Sequence, residues 1–203
     1  RLGAAVLNLA LTLRDLGRRE ETLSVLAEAF ALLPSTGDEG YLTYALRLRG
    51  DDALQSGELA PAEATAGELE ALAKSRGDRL PLALSNRLRG ELAAVRGDFS
   101  AAQHRFGEAR RQLLENADGD EVEELDVVWA ESALRFDELT TAGEIARRVR
   151  PDPAAEIEKT GQFVAEAILA RLDAQEGRRD AAIRRLELLA AKIPPALDRV
   201  LRR

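Results

Sequence analysis

Residues 86–111, NRLRGELAAVRGDFSAAQHRFGEARR, read as two amphipathic helices joined by a tight turn at Gly97-Asp98-Phe99. Counting by forty from Gly97 reaches Gly57 and Gly17 upstream, then Asp137 and Gly177 downstream. Four of these five positions are glycine in a chain with 15 glycines, so the stretch is one unit of an internal repeat. A period of this length decides the fold before any other feature does.

Positions can be counted from the turn residue, negative before it and positive after. Position −7 holds Ala10, Gly50, Gly90, Ala130 and Ala170, all small. With Ala and Gly at about a quarter of the chain, five small residues of five arise by chance roughly once in a thousand trials. Position +5 holds Thr22, Ala62, Ala102, Ala142 and Ala182. Positions +9 (Leu26, Ala66, Phe106, Ala146, Leu186) and +12 (Ala29, Leu69, Ala109, Val149, Leu189) are wholly apolar. A small residue on the first helix lets the second approach closely, and the residue at +5 is its counterpart. The turn residue ends the first helix, where a left-handed conformation is wanted. Glycine takes it without a Cβ clash, and aspartate at 137 tolerates it better than most side chains. Each hairpin carries an apolar stripe that it cannot bury alone, so neighbouring hairpins must stack.

This pattern resembles the tetratricopeptide repeat, which has a small residue, a turn glycine, an alanine and a second small or apolar residue at these offsets. Proline often ends the second helix of that repeat, and Pro34 and Pro194 stand at that offset. The resemblance spans nearly the whole chain, with longer units than the family's usual 34 residues. Units of this length are similar to those of large bacterial transcription activators of the maltose-regulon type and of kinesin light chains. The resemblance implies an all-α, right-handed superhelical solenoid of five antiparallel helix hairpins. Its repeats fall near 1–40, 41–80, 81–118, 119–152 and 153–203. Two departures from the family pattern stand out. Arg49 and Arg89 occupy −8, where leucine is usual; Asn86, Asp126 and Glu166 occupy −11, where a large apolar residue is usual.

Composition excludes several classes of function. The chain has no cysteine, and therefore no disulfide framework, thiolate metal site or cysteine nucleophile. A net charge of −7 argues against nucleic acid as a direct ligand, since that binding rests on Lys and Arg neutralising phosphates. No apolar run approaches the ~20 residues of a membrane span, and a cytoplasmic location is expected. The chain opens at Arg1 and has no methionine, so it is expected to be part of a longer protein. Arginine far outnumbers lysine, which reads as the composition of a GC-rich bacterial gene.

In chain order, the first helix of repeat one is apolar nearly all round, at Leu2, Val6, Leu7, Leu9, Leu11, Leu13 and Leu16. A helix of that kind is normally buried on every side. Preceding repeats or a second copy of the chain are therefore expected to cover it, so homo-association through the N-terminal repeat is anticipated. A polar loop is expected over 34–40, and Pro61 fits the first turn of a helix. Gly77-Asp78 should close repeat two, and Ser100 is a plausible N-cap. Repeat four should end at Arg150-Pro151-Asp152-Pro153, and repeat five should start with a long helix over 154–176. The tail after Pro194-Pro195 reads as a short capping helix.

No phosphate-binding, dinucleotide-binding or nucleophile-elbow motif occurs, so no catalytic residue is assigned and no cofactor is expected. Asn116, Asp118 and Asp120 alternate like calcium ligands, but Glu121 stands where that loop demands glycine and Val127 where it demands a bidentate glutamate. The cluster reads as a helix N-terminus whose carboxylates favour the dipole, and no metal site is assigned. His104 is expected on an outer face, and Trp129, in register with Leu9 and Leu169, in the core.

The resemblance places the first helices on a concave, partner-binding face. The candidates there are Tyr44, Arg47, Asp51, Arg87, Glu91, Glu131, Arg135 and Arg171. The plainer alternative is that Arg47–Asp51 and Arg87–Glu91 are i,i+4 pairs on solvated helix faces, worth ~0.2–0.5 kcal/mol each. The expected function is a protein–protein interaction module holding a peptide or protein segment. The alternative is the ligand- or peptide-sensing domain of a bacterial transcriptional regulator.

Overall fold

The computed structural model describes residues 2–36, 39–115, 119–150 and 160–192. Every regular element among them is a helix: α1 (Leu2–Asp15), α2 (Arg19–Thr36), α3 (Glu39–Gln55), α4 (Leu59–Arg76), α5 (Arg79–Val95), α6 (Phe99–Glu115), α7 (Gly119–Arg135), α8 (Leu139–Val149), α9 (Thr160–Gln175) and α10 (Arg179–Lys192). Consecutive helices pair as five hairpins, α1 with α2 through α9 with α10. The chain divides into two compact units, Arg1–Ala117 and Asp118–Arg203.

All five hairpin turns fall on the forty-residue register. Gly17, Gly57, Gly97 and Gly177 have φ between 72° and 83°, and Asp137 has φ 60°. Each turn closes with the same pair of hydrogen bonds. At the third, Gly97 N donates to Ala94 O (3.1 Å) and Asp98 N to Ala93 O (2.9 Å). The others repeat this with Arg18 N to Leu13 O, Glu58 N to Ala53 O, Glu138 N to Ala133 O and Arg178 N to Asp173 O. This is the Schellman arrangement, which satisfies two carbonyls at the end of the first helix and needs a left-handed residue between them.

The small residues at −7 are buried in every hairpin, and so are their counterparts at +5. The fit leaves no room at two of them. A methyl group at Gly90 would stand 2.8 Å from Phe106 Cδ1, and one at Gly50 would stand 2.7 Å from Leu88 Cδ2. Phe106, the largest side chain sealed in the core, lies flat on the bare backbone that Gly90 provides.

Contacts between hairpins set the curvature of each unit. In the first unit α3 touches both α1 and α5, whereas α2, α4 and α6 touch first helices and not one another among the described residues. In the second, α7 touches α9 while α8 and α10 do not meet among the described residues. Helices that touch in series are more closely spaced than helices that do not. The first helices therefore form the inner, concave side of each unit.

Several local expectations change. The loop expected over 34–40 is shorter, because α2 continues to Thr36 and α3 starts at Glu39; one proline costs a hydrogen bond but does not by itself end a helix. Ser100 does not cap α6. The helix starts one residue before it, and Asp98 Oδ1 accepts from Ala101 N at 2.9 Å. Asp78 caps α5 in a similar way, accepting from Leu80 N. Trp129 is only half-buried, with the Arg148 guanidinium 5.5 Å from its ring centroid. Leu186 breaks the buried set at +9, being 54% exposed. The proposed helix start at 154, the stop at 151–153 and the C-terminal capping helix lie outside the described residues.

Candidate binding surface

The concave face of the first unit is built by α3 and α5. Their positions −10 and −6 bring Arg47, Asp51, Arg87 and Glu91 to one side, because residues four apart share a helix face. Arg87 is the centre of this group. It is 8% exposed, with Nε 3.2 Å from Glu91 Oε1 and Nη2 3.8 Å from Asp51 Oδ1. The pair expected within α5 is formed, and a second pair ties α5 to α3. Arg47 lies beside this cluster, half-exposed, with its guanidinium 5.7 Å from the ring centroid of half-exposed Tyr44. Gln55 and Val95, at −2, are open to solvent.

The convex-side joints of this unit are held differently. Arg49 Nη2 stands 2.7 Å from Glu68, and its guanidinium lies 4.8 Å from the Phe30 ring centroid. Arg89 Nη2 stands 2.7 Å from Glu70, and Arg96 Nη1 3.0 Å from Glu63. Hydrogen bonds from Lys74 and then Arg89 lower the Glu70 carboxyl pKa to about 2. Of the arginines at −8 that depart from the family pattern, Arg49 thus bridges α2 and α4, and Arg89 ties α5 to α4.

In the second unit the first-helix candidates are more dispersed. Glu131 is half-buried, and Arg135 is exposed. Arg171 is exposed, 3.9 Å from Asp137 in the turn. A cleft of about 380 Å³ opens between the starts of α7 and α9, lined by Asp120, Glu123, Glu124, Val127, Thr160 and Gly161. Among the described residues no three His, Cys, Asp or Glu side chains are grouped to hold a metal.

No family model matches the sequence, and no curated protein matches it. The chain is similar in structure to a solved protein from Podosopora anserina, described as a kinesin light chain with nearly identical tetratricopeptide-like repeats. The two share a TM-score of 0.60 and 14% sequence identity, over 93% of each chain. The fold is a tetratricopeptide-like helical repeat. The likeness supports the kinesin-light-chain side of the resemblance seen in the sequence and adds nothing to the regulator side.

In this tetratricopeptide-like chain, sequence reasoning noticed the polar residues at −11 but missed what they do. Asn86, Asp126 and Glu166 are all buried. Asn86 Nδ2 donates to Gln112 Oε1 (3.1 Å), and Asn86 Oδ1 accepts from Arg105 Nη1 (3.0 Å). Asp126 Oδ1 stands 3.8 Å from Arg148. Glu166, 1% exposed, accepts from Arg150 (3.4 Å) on α8's end and, through its other oxygen, from Arg185 on α10. Arg185 also donates to Asp173 (2.8 Å), which takes a second bond from Arg178. Burial alone would push the Asp173 carboxyl up, but the bonds from Arg185 and Arg178 outweigh it and hold it below the usual range. A signal was present in the sequence. Where −11 is Asn86 or Glu166, position +8 is Arg105 or Arg185, and where −11 is Val6, +8 is Val25; Asp126 breaks the rule, facing Ile145 in the register and taking Arg148 instead.

Proposed function

We propose that this chain is a protein-binding module, and that its first unit holds a peptide segment of a partner against the concave face of α3 and α5. The observation that supports this reading is the state of Arg87. Its charge faces Asp51 and Glu91, which fixes the floor of the face, and half-exposed Arg47 stands beside Tyr44 at its edge. A planar guanidinium backed by an aromatic ring suits a carboxylate on the partner, so an acidic segment is the matching ligand. In the second unit, taken by itself, Glu131, Arg135 and Arg171 remain the candidates on the first helices.

The test is a display of acidic peptides screened against the intact chain, followed by titration of the best binder. Arg47→Glu is expected to weaken it by about tenfold or more and to reduce the salt dependence of association. Arg184→Glu, on the exposed side of α10, should leave affinity unchanged. Binding that is insensitive to both Arg47→Glu and Tyr44→Ala would move the site off this face. Arg87→Glu is a poor probe, because it would set a third carboxylate against Asp51 and Glu91.

A further inference from the structure

The turn end of a joint brings three register positions together: −3 and +2 of the earlier hairpin and −5 of the later one. Where the α3–α4 hairpin meets α5, these are Leu54, Leu59 and Leu92. Leu92 is sealed in a cluster with Ala62 and Ala66, and Leu54 and Leu59 pack against the same cluster. Where the α7–α8 hairpin meets α9, they are Leu134, Leu139 and Leu172, the last two buried. At the boundary between the units the register holds Ala94, Phe99 and Ser132, none of them charged.

The joint of the α1–α2 hairpin with α3 keeps the floor of this place and changes its rim. Leu48 at −9 is buried, as Leu88 and Ile168 are at the other two joints. Above it, all three leucines are exchanged for charged residues: Arg14 at −3, Arg19 at +2 and Asp52 at −5. With Gly17, Thr22, Leu48, Gln55 and Ser56 they line a cleft of about 300 Å³. That volume is at the lower end of the range of small-molecule clefts. Stability does not account for the exchange. Arg19 Nη2 stands 2.8 Å from Asp52 Oδ2, but the arginine side chain is 47% exposed. An ion pair so open to water gains little, while three apolar side chains are given up for it.

We infer that this cleft between the first two hairpins binds a carboxylate group. Arg19 directs Nε and Nη2 at Asp52, and Nη2 also at Glu58 Oε1 (3.3 Å). Those bonds fix the plane of the guanidinium, whose Nη1 carries its remaining donors. Arg14 brings a second guanidinium to the same wall, and Gln55 and Ser56 add an amide and a hydroxyl at the exposed mouth. A planar fork with neighbouring donors suits a carboxylate, and Leu48 beneath suits the short carbon chain that bears it. The ligand is therefore a small carboxylic acid of a few carbons. The same group can also arrive as the side chain of an acidic residue on a partner segment.

The test is an amide-resolved NMR titration of the intact chain with glutarate and, separately, with a capped Gly-Glu-Gly peptide. At least one probe should give saturable shifts centred on residues 14–22 and 48–57. Saturation by glutarate alone identifies a free acid as the source, and tighter saturation by the peptide identifies a partner's side chain. Arg14→Leu should weaken binding by about tenfold or more. The triple variant Arg14→Leu, Arg19→Leu, Asp52→Leu restores the residues of the two later joints; it should lose binding altogether and melt at a higher temperature than the parent. Arg47→Glu, on the α3–α5 face, should leave the affinity for glutarate unchanged, so this site and that face stand or fall separately. A parent chain that neither probe saturates would overturn the proposal, and so would an affinity that survives Arg14→Leu unchanged.

Discussion

The joint of α4 with α5 and the joint of α8 with α9 occupy equivalent places in the register but are built from different chemistry. At α4–α5, Ala62 and Ala66 lie under Leu88 and Leu92, and the charges stand at the rim, where the Arg89 and Glu70 side chains are each about a quarter exposed. At α8–α9, Gly143 accommodates Leu172, while the charged pair is sealed, with the Arg150 and Glu166 side chains 2% and 1% exposed. A rim pair gains little, since water competes for both charges and salt screens them. A sealed pair has already lost its water, so removing one member leaves the other charge buried without it. The backbone register tolerates either solution. What differs is the cost of disturbing it.

That contrast is sharpest at Glu166. Glu166→Ala should destabilise the second unit by about 3–5 kcal/mol, because buried Arg150 would lose this carboxylate and Arg185 one of its two. Adding Arg150→Leu should recover a large part of the loss, and chemical denaturation of the single and double variants would show it. A single variant as stable as the parent chain would mean that water reaches Arg150 and the pair is not sealed.

A smaller effect is expected in the apolar packing of the first unit. Ala102 is fully buried against α5, and Ala102→Leu should cost about 1–3 kcal/mol by overpacking. His104, two positions on, is exposed, and His104→Ala should change stability by less than about 0.5 kcal/mol. Thermal melts of the two variants compare the buried and open faces of one helix directly; equal losses would contradict the face assignment.

The rim pair at Glu70 should give the smallest effect and one that depends on pH. Its folded carboxyl titrates near 2, below its value of 4.5 in an unfolded chain. The unfolded state therefore binds more protons between these values, and the stabilisation present above about pH 5 is lost as pH falls toward 2. Glu70→Gln should cost ~0.2–1 kcal/mol at neutral pH, and the difference from the parent should shrink through that window. Urea midpoints at pH 7, 4 and 3 would measure it, and a gap that widens on acidification would reverse the sign of the argument.

The candidate face of α3 and α5 shows how far sequence carries. The face itself was legible, because −10 and −6 follow from helical spacing once the turns are known. The role of Arg87 was not. In sequence it resembles Arg47, a basic residue four before an acid, yet Asp51 on the neighbouring helix and the surrounding packing close over Arg87, while Arg47 stays half-exposed. The buried Glu166 was visible as an anomaly, but its two arginines lie 16 and 19 residues away on other helices.

The sequence by itself determined the period, the five turns and the pairing of helices into hairpins. These rest on local requirements: a left-handed residue at each turn, a small residue where two backbones approach, and an apolar stripe at helical spacing. Only the tertiary structure decided which charges are sealed, which are open and which apolar faces are left uncovered. Burial belongs to a residue's neighbours from other helices, and the same leucine is core at Leu169 and surface at Leu9 according to whether a second helix lies across it.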